Sequence, residues 1–571
     1  MTTTPATSLQ TSATAKKLTV HKVLEQIKQE GARYIFGSSA AADSPITAAL
    51  LKSSDHKDKS LSFVGGLGEL SAIFMANGYA QATGLPAVMN ISAGQAALKI
   101  LPAIYAASRD QVPLVILADQ EDSHILNDES MLVTDFISYM RPVAKWTAEA
   151  NTAKEVCRLI RRAFHEAFSA PKGPVVLSLP LNLLLSTAAT DTILPPVISP
   201  LAGADDSFIQ KVAKELMECS SPVIIAGNEV SQYKARNEVV MLAETIGCPV
   251  YSESLPVGVN FPNRHPQFAG VLPLNGQEAC QKLKDHDAFL LLGVQTRLPS
   301  RQEEPSLVPD HGIVIQINMD PHLGGKTLRS NMSANANIAE SLAKLRADIQ
   351  LAADKSWLNS ANARANQTVQ DIRAERTLKD DNLIYSGPDE ACSLNWLLKL
   401  LDGVRPAKSI VVSDLVNKDI KPFELVGFES GSSYFSTTSG ISGWASGASL
   451  GINWASGDIP VICLTSDESL LDNLQALWTA AHYKLNLKFV VCKSSGVANL
   501  NLQPSAPARK PPRWKLTNPE IDLVAIAKGY GITGSKVERF NYLELELAKL
   551  FASDGPMLCE ISLNVDEINQ S

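Results

Sequence analysis

Asp467 and Ser494 lie 27 residues apart in the stretch LTSDESLLDNLQALWTAAHYKLNLKFVVCKSS, which runs from Leu464 to Ser495. An apolar strand over 461–464 leads into Ser466-Asp467-Glu468, an amphipathic helix follows, and a second apolar strand over 487–492 leads into Lys493-Ser494. This spacing sets a carboxylate, hydroxyls and an ammonium at the carboxyl ends of two strands, the edge where an open parallel sheet binds its ligands. The same residues have a plainer use. Ser469 followed three residues later by Asp472 is a variant capping box at a helix start, which needs no ligand.

The elements that must hold these residues repeat along the chain. VHKVLEQIKQEGARYIFGS, VPLVILADQ and GPVVLSLPLN alternate helix with short apolar strand, as do SSPVIIAGNEV, DAFLLLGVQTR and GIVIQINMDP, then LNWLLKLLDG and SIVVSD. Strands alternating with helices of this length predict parallel sheets covered on both faces, hence an α/β fold. Proline-marked ILPPVISPLAGADD reads as a linker, and the polar segment 356–381 as a helical bridge. The expected organisation is a loose tail at 1–17 and three domains at 18–190, 205–352 and 385–571. Pro-rich, basic QPSAPARKPPRW (503–514) follows the second polar turn and reads as a lid over the site or as a plain surface loop.

Composition bounds the function class. With 571 residues, 45% hydrophobic and 19% charged, the chain is globular, and its formal net charge of -8 and lack of a long basic block argue against nucleic acid or an anionic membrane as partner. Small molecules fit better. Eight cysteines form no C-x-x-C pair, which suggests buried, reduced thiols and a cytoplasmic protein. No stretch reaches the roughly 18 apolar residues of a membrane span. No G-x-G-x-x-G loop follows the strands of the middle domain, so the sequence gives little sign of dinucleotide binding there. The nine histidines include no H-x-x-x-H pair, and His124, His265 and His482 read as surface or structural residues.

GELSAIFMANGYAQATGLPAVMNIS (68–92), GISGWASGASLG (440–451) and the stretch opening at Leu464 resemble the thiamine-diphosphate enzymes of the acetolactate synthase, pyruvate oxidase and benzoylformate decarboxylase type. The likeness is greatest to benzoylformate decarboxylase and covers nearly the whole chain. It implies a pyrimidine-binding domain, a central domain and a diphosphate-binding domain, with each active site between two subunits of a homodimer or homotetramer.

The resemblance also assigns roles. Glu69, nine residues before Gly78, falls where relatives carry the glutamate that activates the cofactor's aminopyrimidine; its plainer use is as an acid at a helix N-terminus. Relatives hold magnesium through an aspartate, an asparagine and a backbone carbonyl, positions that here fall on Asp467, Ser494 and Gly496. Ser466, Glu468 and Lys493 complete the expected cofactor contacts. A serine hydroxyl is a poor replacement for an amide oxygen on a hard cation. Glu468 stands where relatives have glycine, and two unit charges about 5 Å apart repel by roughly 3 kcal/mol at an effective dielectric near 20. Lys493 is placed to offset this by pairing with a phosphate or with Asp467. The substrate-side serine and histidines of benzoylformate decarboxylase fall on Ala41, Ser92 and Ser300, none of which titrates near neutrality. Lys99, Arg109 and Arg297 are positioned either to meet an anionic substrate or to stand as solvated surface residues.

The expected function is therefore a thiamine-diphosphate-dependent lyase or carboligase acting on a 2-oxo acid or related acyl donor through an atypical anchor. Two alternatives stay open. One is a fold relative that has lost thiamine diphosphate and magnesium and performs other chemistry in the cleft. The other is a non-catalytic partner of an active homologue.

Overall fold

The computed structural model describes residues 17–54, 60–128, 131, 133–187, 190–196, 198, 201–295, 307–381, 387, 389–415, 422–493 and 519–564. The expected tail, apart from Lys17, and the loop 503–514 lie outside them. The apolar runs between helices become strands of three six-stranded sheets, and the pairings within those sheets are parallel. In spatial order the first sheet is Ser62–Gly66, Tyr34–Ser38, Ala87–Ser92, Leu114–Gln120, Pro174–Pro180 and Trp146–Glu149. The second is Met332–Asn335, Ile313–Asn318, Ala288–Leu292, Pro222–Ala226, Val250–Ser252 and Phe268–Val271. The third is Tyr434–Ser436, Ile410–Ser413, Val461–Ser466, Leu487–Lys493, Met557–Ser562 and Thr533–Val537. Helices cover both faces, which is why inner strands such as Val461–Ser466 and Leu487–Lys493 are buried at every residue.

The polar bridge is the 27-residue helix Lys355–Asp381. Arg364 on it donates to the Ile246 carbonyl at 2.9 Å and holds it to the second domain. The first and third domains meet through two helices, Glu69–Thr83 and Trp444–Ser456. Their sequences are rich in small residues, so the backbones touch: a Cβ on Gly78 would stand 2.0 Å from the Ala448 carbonyl oxygen, and one on Gly451 1.8 Å from that of Met75. Trp444, fully buried beside this crossing, donates its indole N–H to Asn77 Oδ1 at 3.2 Å. One apolar cluster consequently runs from Phe36 and Phe74 of the first domain to Trp444 and Phe489 of the third. Another joins the third domain to the second through Phe423, Phe428 and Phe261. Among the described residues no helix is long and apolar enough to cross a membrane.

Candidate functional site

Ser466 ends its strand in extended backbone and caps the short helix Asp467–Leu471, its Oγ accepting from the Ser469 amide at 3.1 Å. The cap is thus Ser466, three residues before the Ser469 of the expected capping box. Ser469 is freed for another task. Its hydroxyl donates to Asp414 Oδ2 at 2.6 Å and accepts from the Gly443 amide at 2.7 Å. Asn473 adds a bond to the Gly443 carbonyl at 3.1 Å. Gly443 holds a φ of 80°, and a Cβ there would come within 2.8 Å of Asn473 Cβ, so this turn into the helix Trp444–Ser456 requires glycine.

Asp414 organises this end of the third sheet. It follows the strand Ile410–Ser413 and is buried, with Oδ1 accepting from Thr465 Oγ1 at 2.8 Å and Oδ2 from the Ala445 amide at 3.1 Å as well as from Ser469. Burial pushes its carboxyl above the usual range, against the pull of these donors. Sequence reasoning passed over Asp414, although it closes SIVVSD in the same way that Asp467 closes its own strand.

Asp467 is 4% exposed. The half-buried Glu468 beside it has a raised carboxyl pKa, first from burial and then from the charges of Asp467 and Asp472. Lys493 does not answer this charge. Its Nζ donates to Glu520 at 2.7 Å, to Glu560 at 3.1 Å and to the Ile521 carbonyl at 3.4 Å. An ammonium has three hydrogens, and these acceptors take all of them. Burial would lower the Lys493 pKa, but the two glutamates outweigh it and leave it raised. The expected pairing of Lys493 with Asp467 or a phosphate is corrected accordingly. The cause is the strand Met557–Ser562, which brings Glu560, 1% exposed, alongside Lys493.

Ser494, Gly496, Ser300 and Arg297 lie outside the described residues, so Asp467 is the one expected magnesium ligand whose place is known. Among the described residues no group of three or more His, Cys, Asp or Glu side chains could hold a metal. Among the described residues of this end, Glu468 feels the charges of Asp467 and Asp472, and Lys493 is committed to Glu520, Glu560 and the Ile521 carbonyl.

The first domain presents a different edge. Glu69 opens its helix and is 11% exposed, with Lys99 Nζ 3.3 Å from its carboxylate. The loop before it is tied to the third domain: Tyr483 OH accepts from the Gly65 amide at 2.9 Å, and Thr479 Oγ1 accepts from the Leu67 amide at 3.0 Å. Both partners belong to the helix Gln475–His482 or its cap, which follows Asp467–Leu471 in the chain. Glu69 thus follows a loop that ties the first domain to the third.

Ser92 ends its strand in register with Asp119. Burial raises the Asp119 carboxyl to about 7, although hydrogen bonds from Ser44 and Asn90 pull it down. Its Oδ1 is shielded from solvent and has no hydrogen-bond partner among the described residues. Asp119 is the second acid that sequence reasoning missed, and VPLVILADQ places it at a strand end in plain view. Ala41 is 1% exposed inside the turn Ser39–Asp43, so within this chain it lines no open pocket. Arg109 lies over the Tyr105 ring at 5.9 Å, and exposed His124 pairs with Asp122 at 2.7 Å.

Three family profiles match in succession: the thiamine pyrophosphate enzyme N-terminal TPP binding domain over 19–138, the central domain over 209–345 and the C-terminal TPP binding domain over 423–561. A benzoylformate decarboxylase of Pseudomonas aeruginosa is 25% identical over 555 residues, covering 95% of this chain and 98% of its own. An acetolactate synthase large subunit of Haemophilus influenzae is 23% identical over 568 residues, covering 97% and 95%. Among solved structures, a thiamine diphosphate-dependent 4-hydroxybenzoylformate decarboxylase of Rhodococcus jostii superposes with a TM-score of 0.79 at 23% identity, covering 96% of this chain and 100% of that one. A benzoylformate decarboxylase of Polynucleobacter necessarius gives 0.80 at 20%, covering 96% and 99%. The three parallel-sheet domains in this order are those of a known architecture, and the chain belongs to the thiamine pyrophosphate enzymes.

Proposed function

We propose that this chain is a member of the family in which the magnesium diphosphate anchor has been given up and the first-domain edge of the cleft carries the remaining chemistry, acting on a small-molecule substrate. The observation that carries this reading is the commitment of all three Lys493 hydrogens to Glu520, Glu560 and Ile521. Among the described residues it leaves Asp467, Glu468 and Asp472 as neighbouring acids where a diphosphate would need cations. Glu69 and Asp119 are the acid–base groups of this reading; the Asp119 carboxyl, raised to about 7, gives and takes a proton at neutral pH. With substrate chemistry elsewhere, the protein would otherwise serve as a non-catalytic partner of an active homologue.

The placement of Glu69 favours a second reading. In it the chain is a thiamine-diphosphate-dependent decarboxylase or carboligase of a 2-oxo acid, with magnesium on Asp467, Ser494 and the Gly496 carbonyl. Both readings include a homodimer or homotetramer and a cytoplasmic location, the latter in keeping with eight cysteines that form no disulfide, six of them buried. Calorimetry with thiamine diphosphate, with and without magnesium, separates the two. The first predicts no saturable heat and no carbon dioxide release from a panel of 2-oxo acids, with binding restored in Glu468→Gly combined with Lys493→Asn and Ser494→Asn. Saturable, magnesium-dependent binding by the unmodified chain would establish the second reading instead.

A further inference from the structure

A cavity of about 420 Å³ lies where all three domains meet, away from the strand-end acids. The first domain contributes the end of the helix Glu69–Thr83, the turn 110–113 and Lys172; the second contributes Lys234 and Arg236; the third contributes Gly431 and Phe435. Its charge is one-sided. Three cations line it against a single acid, Asp110, whose carboxylate already accepts from the Thr438 amide at 2.9 Å, from Thr438 Oγ1 at 2.6 Å and from Thr437 Oγ1.

The cations themselves are poorly answered. Arg236 Nη1 is shielded from solvent and has no hydrogen-bond partner among the described residues. Burial holds the Arg236 guanidinium below its usual range. Lys172 is pushed down to about 8, first by burial and then by the charge of Lys234. Its ammonium donates to the Gly84 carbonyl at 3.3 Å and lies near the Phe168 and Tyr233 rings. A fold gains nothing by drawing lysines together at a half-buried site unless an anion joins them.

The backbone adds an independent sign. Among the described residues only Gln111, Lys234 and Lys484 combine a side chain with positive φ, and the first two, at 52° and 60°, both line this cavity. Strain of this kind gathers at ligand clamps.

From these observations we infer that the three-domain junction is a binding site for a compact polyanion, a pyrophosphate-like or polycarboxylate ligand held by Lys172, Lys234 and Arg236. Such a ligand bridges the first and second domains beside the third and so stabilises their mutual arrangement. The inference is independent of whether the strand-end acids hold a cofactor.

The test titrates the full chain with sodium pyrophosphate and, separately, with citrate at low ionic strength, by calorimetry and thermal unfolding. The expected result is one saturable site for at least one anion and a raised unfolding temperature. In Lys234→Gln/Arg236→Gln binding should weaken roughly tenfold or more, while Asp467→Asn binds as the parent does. Preference for pyrophosphate or for citrate identifies which source of charge the site takes. If the double variant does not fold, Lys234→Gln alone, at an exposed side chain, carries the test. Absence of saturable binding by both anions, or equal affinity in the lysine variant, overturns the inference.

Discussion

At the carboxyl edge of the first sheet Asp119 has one oxygen without a hydrogen-bond partner among the described residues, whereas at the matching edge of the third sheet both oxygens of Asp414 are bonded. Both acids are pushed up by burial. Their surroundings separate them: Asp414 locks Thr465, Ser469 and Ala445 around a glycine turn, while Asp119 rests beside Asn90 and Ser44. A buried carboxylate whose lone pairs are filled is part of the scaffold, and one left half-filled near pH 7 is available for proton transfer. Lys493 extends the contrast. Its ammonium is held by buried Glu560, while Lys99 at the first-domain edge is exposed and bonds Glu69 from solvent.

The largest expected effect breaks the third-domain pairing. Lys493→Ala takes from buried Glu560 its ammonium at 3.1 Å and leaves it only Lys536 at 4.0 Å; removing one partner of a buried pair costs about 3–5 kcal/mol, and the remaining lysine should hold the loss near the lower figure. Urea unfolding should register that loss, and Lys493→Met with Glu560→Leu should recover most of it, since two apolar side chains leave no orphaned charge. A negligible change in Lys493→Ala would mean that this edge is looser than its geometry and free to accept a ligand.

A smaller effect sharpens the first-domain side. A carboxyl whose folded pKa lies above its unfolded value holds its proton more tightly in the folded chain, so its contribution favours folding in acid and is lost as pH rises from about 4 through about 7. Asp119→Asn has no such proton. Its stability should match the parent near pH 4 and exceed it above pH 8 by about 2 kcal/mol, below the ceiling of about 4 kcal/mol that linkage sets. Parallel stability curves for the two proteins would show that Asp119 titrates normally.

How much of this was legible in the sequence depends on the distance over which each feature is determined. The three sheets follow from apolar runs such as VPLVILADQ and DAFLLLGVQTR, each readable within ten residues or so. The start of the Glu69 helix was legible from GELSAIFMANGYAQ, whereas the role of Glu69 came from the resemblance. Asp119 and Asp414 were legible too, each ending a strand, but the motif around Asp467 drew attention away from them. Lys493 was not: its acceptors Glu520 and Glu560 lie 27 and 67 residues further along, and only the pairing of Leu487–Lys493 with Met557–Ser562 brings the last of them near. The capping serine was misplaced by three residues because the pattern S-x-x-D fits Ser469 as well as S-x-x-S fits Ser466, and the choice is made by the burial of Asp414, which claims the Ser469 hydroxyl.

The smallest effect tests that choice. Ser469→Ala keeps the helix start, because Ser466 still accepts from the amide of residue 469, but it removes a donor to Asp414 and an acceptor for the Gly443 amide. A buried group left unsatisfied costs about 1–3 kcal/mol. Thr465 and Ala445 remain on Asp414, so the loss should fall near the lower figure. Ser466→Ala removes the cap alone and should cost about 1 kcal/mol, without touching Asp414. Hydrogen exchange distinguishes the two: Ser469→Ala should speed exchange of the Gly443 and Ala445 amides at the start of the helix Trp444–Ser456, and Ser466→Ala should speed that of Ser469. If Ser466→Ala instead loosens Gly443, the two serines share the turn, and the third-domain edge is a single network in which cap and carboxylate are not separable.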